Sequence, residues 1–448
     1  MIETKALSGW GRHPVEAATL SQPDTASDVE SRVRTETHSR LIARGLGRAY
    51  GDSALCRDGT VVGTERLDRF IAFDAATGIL EAEAGVSFAE IIRTFLPRGW
   101  FLPTTPGTKF VTLGGAIASD VHGKNHHRVG SFGSFVESID LVVGDGTTIR
   151  CSRREHAELF YATLGGMGLT GFILRARFRL VPVETSRVTV AYRKARDLDS
   201  ALGIFAEGDQ ACEHSVAWID CMAGGGSLGR SVVMQGSPTP RSELPAATDP
   251  LALPRRRPRS VPLTPPISLL SPWSVRAFNA AFYNLHAETT KVVDLDTFFY
   301  PLDAILHWNR LYGPKGFVQY QAFFPRATSR DGLVRLLQCV VASGAASFLA
   351  VLKSCGESDG GLLSYLEPGH TLALDIPYRP VETDELCRRL DAILLDHGGR
   401  LYLAKDALTS AAAFHQMYPR LQQFQDVKRR YDPGNRFVSS QAIRLGIV

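Results

Sequence analysis

Long apolar runs are missing. Nowhere do about 18 uninterrupted apolar residues appear, and Met1 to Leu20 carries no apolar core of signal-peptide type. The chain is therefore expected to be neither inserted nor exported, and to be cytoplasmic. Charge of one sign is also scarce: 50 Lys and Arg against 46 Asp and Glu leave +4 over 448 residues. So small an excess argues against a nucleic-acid partner, which needs clustered basic residues on one face, and leaves anionic ligands open. Cysteine is sparse and irregular. Cys56, Cys151, Cys212, Cys221, Cys339, Cys355 and Cys387 are odd in number and never in C-x-x-C spacing, so they read as reduced thiols. No H-E-x-x-H, Cys/His cluster or EF-hand pattern is present, and no metal site is expected.

Hydrophobic residues make up 44% and charged ones 21%, as in a folded protein with a sizeable core. The length exceeds one ordinary core and points to two lobes. From Leu41 to about Pro182, short β-rich runs alternate with amphipathic helices. Ile79 to Ala84 reads as a strand, and Ser87 with Glu90 forms a capping box before the stripe Phe88, Ile91, Ile92, Phe95 and Leu96, ended by Pro97. The runs 139–143 and 148–150 flank Gly144-Asp145-Gly146, a hairpin turn. Ala157 to Thr163 reads as a helix and Gly171 to Leu180 as a strand. Farther on, Thr297–Tyr300, Val318–Phe324 and Ser347–Lys353 read as strands, and Leu386, Leu390, Ile393 and Leu394 as a helix stripe before Gly398. Between Gly236 and Ser274 lie ten of the 24 prolines and the run Arg255-Arg256-Arg257-Pro258-Arg259, without helical or strand periodicity. This predicts a mobile surface loop. After Lys405 the chain reads as mostly helical.

Three glycine-dense stretches carry the chemistry. Ala43 to Asp52 holds Gly45, Gly47 and Gly51, which let backbone amides converge on a phosphate; its spacing is not that of a Rossmann turn, and by itself a bland turn is as good an account. Gly107 and Thr112-Leu113-Gly114-Gly115 read as a loop opening a helix, whose unpaired amides could receive a pyrophosphate. Gly165-Gly166-Met167-Gly168-Leu169-Thr170-Gly171 packs four glycines into seven positions, more than strand packing needs. Three such loops in one lobe imply a large, closely held cofactor.

The order of these loops resembles the FAD flavoproteins of the vanillyl-alcohol oxidase and p-cresol methylhydroxylase (PCMH) type. Within them it resembles the branch that oxidises a decaprenylphosphoryl-ribose-like substrate as the flavin half of an epimerase. The likeness rests on Gly9-Trp10-Gly11-Arg12, His122-Gly123-Lys124-Asn125-His126-His127, Gln319-Tyr320-Gln321, Leu403-Ala404-Lys405-Asp406 and Asp432-Pro433, and spans nearly the whole chain. It implies an α+β fold with a PCMH-type FAD-binding domain over 1–182. A central substrate domain of antiparallel sheet covered by helices follows over 183–400, and a segment 401–448 returns to the first domain. Arg48 stands where many relatives carry the histidine that bonds FAD covalently, so non-covalent FAD is expected.

Carried over position by position, the implied FAD contacts are Arg44, Gly45, Gly47, Arg48, Ala49, Tyr50, Gly51, Gly107, Thr112, Gly114, Gly115, Ser119, His122, Ile173 and Tyr402. Oxidising a secondary alcohol requires loss of a hydroxyl proton and transfer of the carbinol hydride to the flavin. Lys405 is the first candidate, as a desolvated base or as a cation stabilising alkoxide, and His122 is the second. Gln319, Gln321, Lys353, Lys124 and Lys405 are the implied substrate contacts; surface polarity on a strand, or a solvated loop lysine, is the plain alternative. Ala373 and Thr371 replace a pocket cysteine and asparagine of mycobacterial members, which alters pocket shape but not the oxidation. The resemblance implies oxidation of the 2′-hydroxyl of a polyprenyl-phosphoryl pentose to the 2′-keto sugar, the first half of an epimerisation to the arabinose form used in cell-envelope biosynthesis. A short-chain NAD(P)H-dependent reductase would complete the epimerisation, and the basic loop would make peripheral membrane contact. Two readings stand beside it: a polyol or aldonolactone oxidase using oxygen, and a catalytically silent flavin- or carbohydrate-binding module.

Overall fold

Alternation of apolar residues sets the strands that frame the site. The computed structural model describes residues 2–36, 39–254, 257–345, 347 and 349–448. Near the N-terminus, Ile2–Ser8 and Val15–Ser21 pair antiparallel, while Thr60–Gly63 runs parallel to both Val15–Ser21 and Leu41–Arg44. A second, antiparallel sheet orders Phe70–Asp74, Ile79–Glu83, Phe172–Arg179, Val136–Val142 and Thr148–Ser152. Its edge hairpin turns at Gly146, whose φ of 81° suits glycine. Helix Phe88–Phe95 starts at the Ser87/Glu90 capping box and buries Phe88, Ile91, Ile92 and Phe95. Pro97 lies in the short 3-10 turn that follows it.

The larger sheet has eight strands, in the order Thr289–Asp294, Arg187–Ala195, Ser231–Pro238, His214–Ile219, Ala350–Cys355, Gly369–Pro377, Phe317–Pro325 and Arg400–Leu401. All of its pairings are antiparallel. Helices Leu198–Gly208, Ser329–Ser343 and Glu382–Asp396 pack on it. Together with the two smaller sheets and the helices of the first 182 residues, this is an α+β fold.

Three expectations are corrected. Residues 297–300 are not a strand, because helix Leu295–Phe299 runs there, capped by Asp294, which accepts from the Thr297 amide at 2.9 Å. A good cap overrides the β propensity of a Thr-Phe-Phe run. The strand expected from Ser347 begins instead at Ala350. The Pro-rich segment is shorter than its composition suggests. Residues 236–238 complete a strand, Arg259–Ser260 pairs with Ile305–Leu306, and Pro272 opens a 14-residue helix. The segment is tied down where the Ser186 amide donates to Pro250 O at 2.7 Å and Arg310 Nη1 donates to Val261 O at 2.8 Å. Arg255 and Arg256 lie outside the described residues.

The tail Leu421–Val448 is fastened to the glycine-loop lobe by Arg444, which meets Asp52 at 2.7 Å, and by a buried cluster centred on Lys428. Lys428 Nζ donates to Asp432 Oδ2 at 2.7 Å, to Leu169 O at 2.9 Å and to Phe437 O at 2.8 Å. Asp432 in turn accepts from the amides of Arg436 and Phe437 at 2.8 and 2.9 Å. Phe437 lies beside Leu41, whose carbonyl accepts from the Val438 amide at 2.8 Å. Removing one partner of such a pair strands a charge inside the protein. Lys428→Met is therefore expected to lower the unfolding free energy by about 3 kcal/mol or more, measured by denaturant unfolding; a loss below about 1 kcal/mol would mean the clamp is dispensable.

Candidate active site

A cavity of about 510 Å³ lies between the glycine-rich loops and the open face of the eight-stranded sheet. The first loop leaves strand Leu41–Arg44 and turns at Gly47, where φ is +63°. Behind it, Arg44 donates to Ser8 O at 2.7 Å and Ala54 O at 3.3 Å; a Cβ on Gly47 would strike that guanidinium. The N-terminal Gly9-Trp10-Gly11 run braces the same loop, since the amides of Trp10 and Gly11 donate to Ala49 O and Tyr50 O at 2.8 and 3.1 Å. The amides of residues 45–49 have no hydrogen-bond partner among the described residues. Arg48 lies over the Trp10 ring at 4.1 Å, and its Nε is buried without a partner. Five available amides and an underused guanidinium make a receptor for a phosphate-bearing group.

The second loop behaves differently from expectation. Thr112 caps helix Leu113–Ala118, but its first amides are already engaged: Leu113 donates to Val86 O and Gly114 to Ala84 O, both at 2.8 Å, and Gly115 to Thr112 Oγ1 at 3.2 Å. Its glycines serve close approach instead, with Gly114 against Ala84 and Gly45 against Thr112. The third loop supplies Met167, Gly168 and Gly171 to the wall. These features fit FAD.

The sheet contributes the opposite wall in register. Gln321, Ala373, Val351 and Trp218 form one cross-strand row, and Gln319 pairs with Asp375. Lys353 pairs with Thr371 in the adjacent row. Because side chains alternate along a strand, these residues share one face. Gln319 Nε2 donates to Asp375 Oδ1. His122 is enclosed: Tyr365 OH lies 2.9 Å and Gln321 Nε2 3.1 Å from its Nε2, and Lys353 Nζ lies 3.4 Å from its Nδ1. Burial, and then the Lys353 charge, hold His122 well below the usual imidazole range, so the ring is neutral. With both nitrogens committed, it positions Lys353 and Tyr365.

Three buried lysines meet this cavity. Burial pushes Lys124 down to about 7 and Lys353 to about 8. Lys124 donates to Phe298 O, and to Phe299 O at 3.5 Å, at the end of helix Leu295–Phe299, so its ammonium is already engaged by the protein. Lys405 is different. Its Nζ sits 3.9 Å from the centre of the Tyr50 ring and makes no hydrogen bond among the described residues. Burial lowers it to about 7 against the opposing pull of Asp375, which burial itself pushes up to about 7. The backbone fixes this meeting: the Tyr50 amide donates to Ala404 O at 2.9 Å. Arg444 spans Asp52 at 2.7 Å and Asp406 at 2.8 Å.

The cavity therefore brings together Gly45, Gly47, Arg48, Ala49, Tyr50, Gly107, Thr112, Gly114, Gly115, Ser119, His122, Ile173, Tyr402, Lys124, Gln319, Gln321, Lys353 and Lys405. Arg44 and Gly51 do not line it. Arg44 braces the first loop from behind, and Gly51 packs against Asp406 O. Sequence reasoning missed Asp375 and Tyr365. Asp375 was findable from alternation with Ala373 on one strand, whereas nothing local marks Tyr365, which stacks on Tyr402 at 4.4 Å. Beyond the polar groups the wall turns apolar, with Val216, Trp218, Met234, Tyr192, Phe278 and Phe282. Among the described residues no group of three or more His, Cys, Asp or Glu is placed to hold a metal. No helix among them is long and apolar enough to cross a membrane.

Comparison with known proteins agrees with this geometry. Residues 17–152 match the FAD binding domain family, and residues 325–445 match the D-arabinono-1,4-lactone oxidase family. Decaprenylphosphoryl-beta-D-ribose oxidase of Mycolicibacterium smegmatis is 36% identical over 99% of this chain and 98% of its own. An uncharacterised protein of Streptomyces coelicolor is 32% identical over 81% of this chain and the whole of its own. A putative D-arabinono-1,4-lactone oxidase of Neurospora crassa is 26% identical over 40% of this chain and 32% of its own. Full-length similarity at this level, on a glycine-loop lobe built to take FAD, makes the chain an FAD-dependent oxidoreductase that belongs to the decaprenylphosphoryl-β-D-ribose oxidase family.

Proposed function

We propose that the enzyme oxidises the 2′-hydroxyl of a polyprenyl-phosphoryl pentose to a ketone. The observation that carries this reading is a cavity with two ends. Gln319 and Gln321 stand on strand Phe317–Pro325 at one side, and Trp218, Met234 and Tyr192 on strands His214–Ile219, Ser231–Pro238 and Arg187–Ala195 at the other, with Phe278 and Phe282 in the same wall. A sugar phosphate on an apolar chain matches both ends, whereas a small free sugar leaves the apolar arm without a ligand. The match of residues 325–445 to D-arabinono-1,4-lactone oxidase keeps the aldonolactone oxidase as the second reading.

In this account the first lobe, to about residue 182, holds FAD, the sheet domain to about residue 400 holds the substrate, and the tail closes on the first lobe. The amides of residues 45–49 and Arg48 receive the cofactor's phosphates, with Gly107, Thr112, Gly114, Gly115, Ser119, Ile173 and Tyr402 walling it. FAD, when bound, supplies the two-electron acceptor for the carbinol hydrogen. Lys405, with its amine near neutrality, takes the hydroxyl proton. Gln319 and Gln321 hold the sugar hydroxyls, and Lys353, oriented by His122, meets the phosphate. The ketone requires a reductive step to reach the epimer, which is the place of an NAD(P)H-dependent short-chain reductase. A lipid-linked substrate also requires contact with a membrane surface.

Arg48 offers no covalent tether, so acid precipitation is expected to release all FAD into the supernatant; flavin retained in the pellet would contradict this. Anaerobic addition of polyprenyl-phosphoryl ribose should bleach the flavin band in the wild type, with bleaching slowed by at least about a hundredfold in Lys405→Ala. Bleaching by free polyols or lactones alone would favour the lactone-oxidase reading. For a neutral Lys405 acting as base, the reduction rate rises with pH through about 7. Since Asp375 pulls the Lys405 value upward, Asp375→Asn should move that limb to lower pH. A rate that falls across the same range would assign the lysine a cationic role.

A further inference from the structure

Helix Pro272–Leu285 turns an apolar face outward. Its inward positions include Val275 and Asn279, the latter donating to Asp220 Oδ1 at 2.8 Å, and Phe278 and Phe282 line the cavity. The opposite stripe, at helical spacing, is Trp273, Ala277, Ala281 and Leu285, all exposed. Trp273 is 82% and Leu285 84% exposed, and the segment leading into the helix adds Leu263 at 78%, Ile267 at 71% and Leu269 at 54%. Exposed single hydrophobes are ordinary, but an uncharged apolar stripe continuous with more apolar residues is a surface built to be covered.

The charge pattern says by what. From Leu251 to Ala287 the sequence has five arginines, Arg255, Arg256, Arg257, Arg259 and Arg276, and no Asp, Glu or Lys. The whole chain carries +4, so this stretch holds +5 and the remainder −1 (4 − 5 = −1). All the positive excess thus falls in the sequence that leads into and through this helix. A tryptophan and leucines flanked by arginines suit the boundary of an anionic bilayer, where apolar side chains enter the acyl region and guanidinium groups meet the headgroups. A protein partner would not require the excess to collect here. The same helix also walls the cavity through Phe278 and Phe282, so a chain leaving the leaflet beside it reaches the apolar arm without crossing water.

We propose that helix Pro272–Leu285, with the segment before it, docks the enzyme on an anionic lipid leaflet by inserting Trp273 and Leu285, and opens the apolar arm towards that leaflet. The docking stands on the surface alone; the delivery of a lipid-linked substrate rests on the functional reading above. The test uses the FAD-loaded enzyme and sedimentation with phosphatidylcholine vesicles, with and without phosphatidylglycerol. The wild type should bind both and prefer the anionic ones in a salt-sensitive way. Trp273→Ser with Leu285→Ser should weaken both affinities by at least about tenfold. Arg257→Gln, Arg259→Gln and Arg276→Gln together should abolish only the anionic preference. Bleaching by a short-chain, detergent-dispersed polyprenyl-phosphoryl ribose should be unchanged in both variants, which shows that they fold and load. Absence of wild-type sedimentation, or sedimentation unchanged in the double serine variant, overturns the proposal. So does a wild-type dimer in light scattering that the double variant dissociates while lipid binding is lacking. Vesicle binding without bleaching in the wild type would sink the functional reading and leave the docking surface standing.

Discussion

Moving an ammonium group from water into a protein interior costs several kcal/mol unless the fold replaces its hydration, and this chain does so for its buried lysines to very different degrees. Lys428 is fully compensated by Asp432 and two carbonyls, and it serves only to hold the tail. Lys124 has the carbonyls at the end of a helix, and Lys353 has a histidine nitrogen. Lys405 has the face of Tyr50 and the distant charge of Asp375. Of the three lysines that line the cavity, the least compensated amine is that of Lys405. Its burial shifts the proton affinity towards the working pH, where proton transfer is most effective.

Such a group is useful only if held still, and the surroundings of Lys405 do that with backbone. Tyr50 hydrogen-bonds to Ala404, Gly51 has no Cβ because Asp406 O occupies that space, and Arg444 ties Asp52 to Asp406. The first glycine loop and Lys405 are therefore two sides of one contact. On the first loop's other side, Gly11 accepts from the Phe317 amide at 2.8 Å, at the start of the strand that carries Gln319 and Gln321. The Gly9-Trp10-Gly11 run thus wedges the glycine loop against the eight-stranded sheet.

Much of this was legible in the sequence. The capping box at Ser87, the hairpin at Gly146 and the turn at Gly47 each depend on local chemistry, and the structure places them where that chemistry put them. What escaped depends on distant neighbours. Phe-Phe at 298–299 reads as strand until Asp294 caps a helix over it. The amides of Leu113 and Gly114 read as available until Val86 O and Ala84 O, just past strand Ile79–Glu83, claim them. Asp375 becomes a partner of Lys405 only through the register that sets it beside Gln319. Helix Pro272–Leu285 begins at the end of the proline-rich stretch and escaped because it carries apolar residues on both its inward side, Val275 and Phe282, and its outward side, Trp273 and Leu285.

The cavity's polar and apolar ends follow from one sheet face. One row passes from Gln321 through Ala373 and Val351 to Trp218, and Met234 stands on the next strand opposite Val216, so strand order alone separates the polar from the apolar wall. The chemistry nevertheless hangs on one proton affinity. The most direct measurement is an NMR titration of lysines labelled at Cε in the FAD-loaded enzyme, with the Lys405 resonance assigned by Lys405→Arg. An inflection near 7 is the result this account requires. An inflection at the ordinary lysine value of about 10.4 would contradict it, leaving Lys405 a permanent cation and the proton acceptor elsewhere.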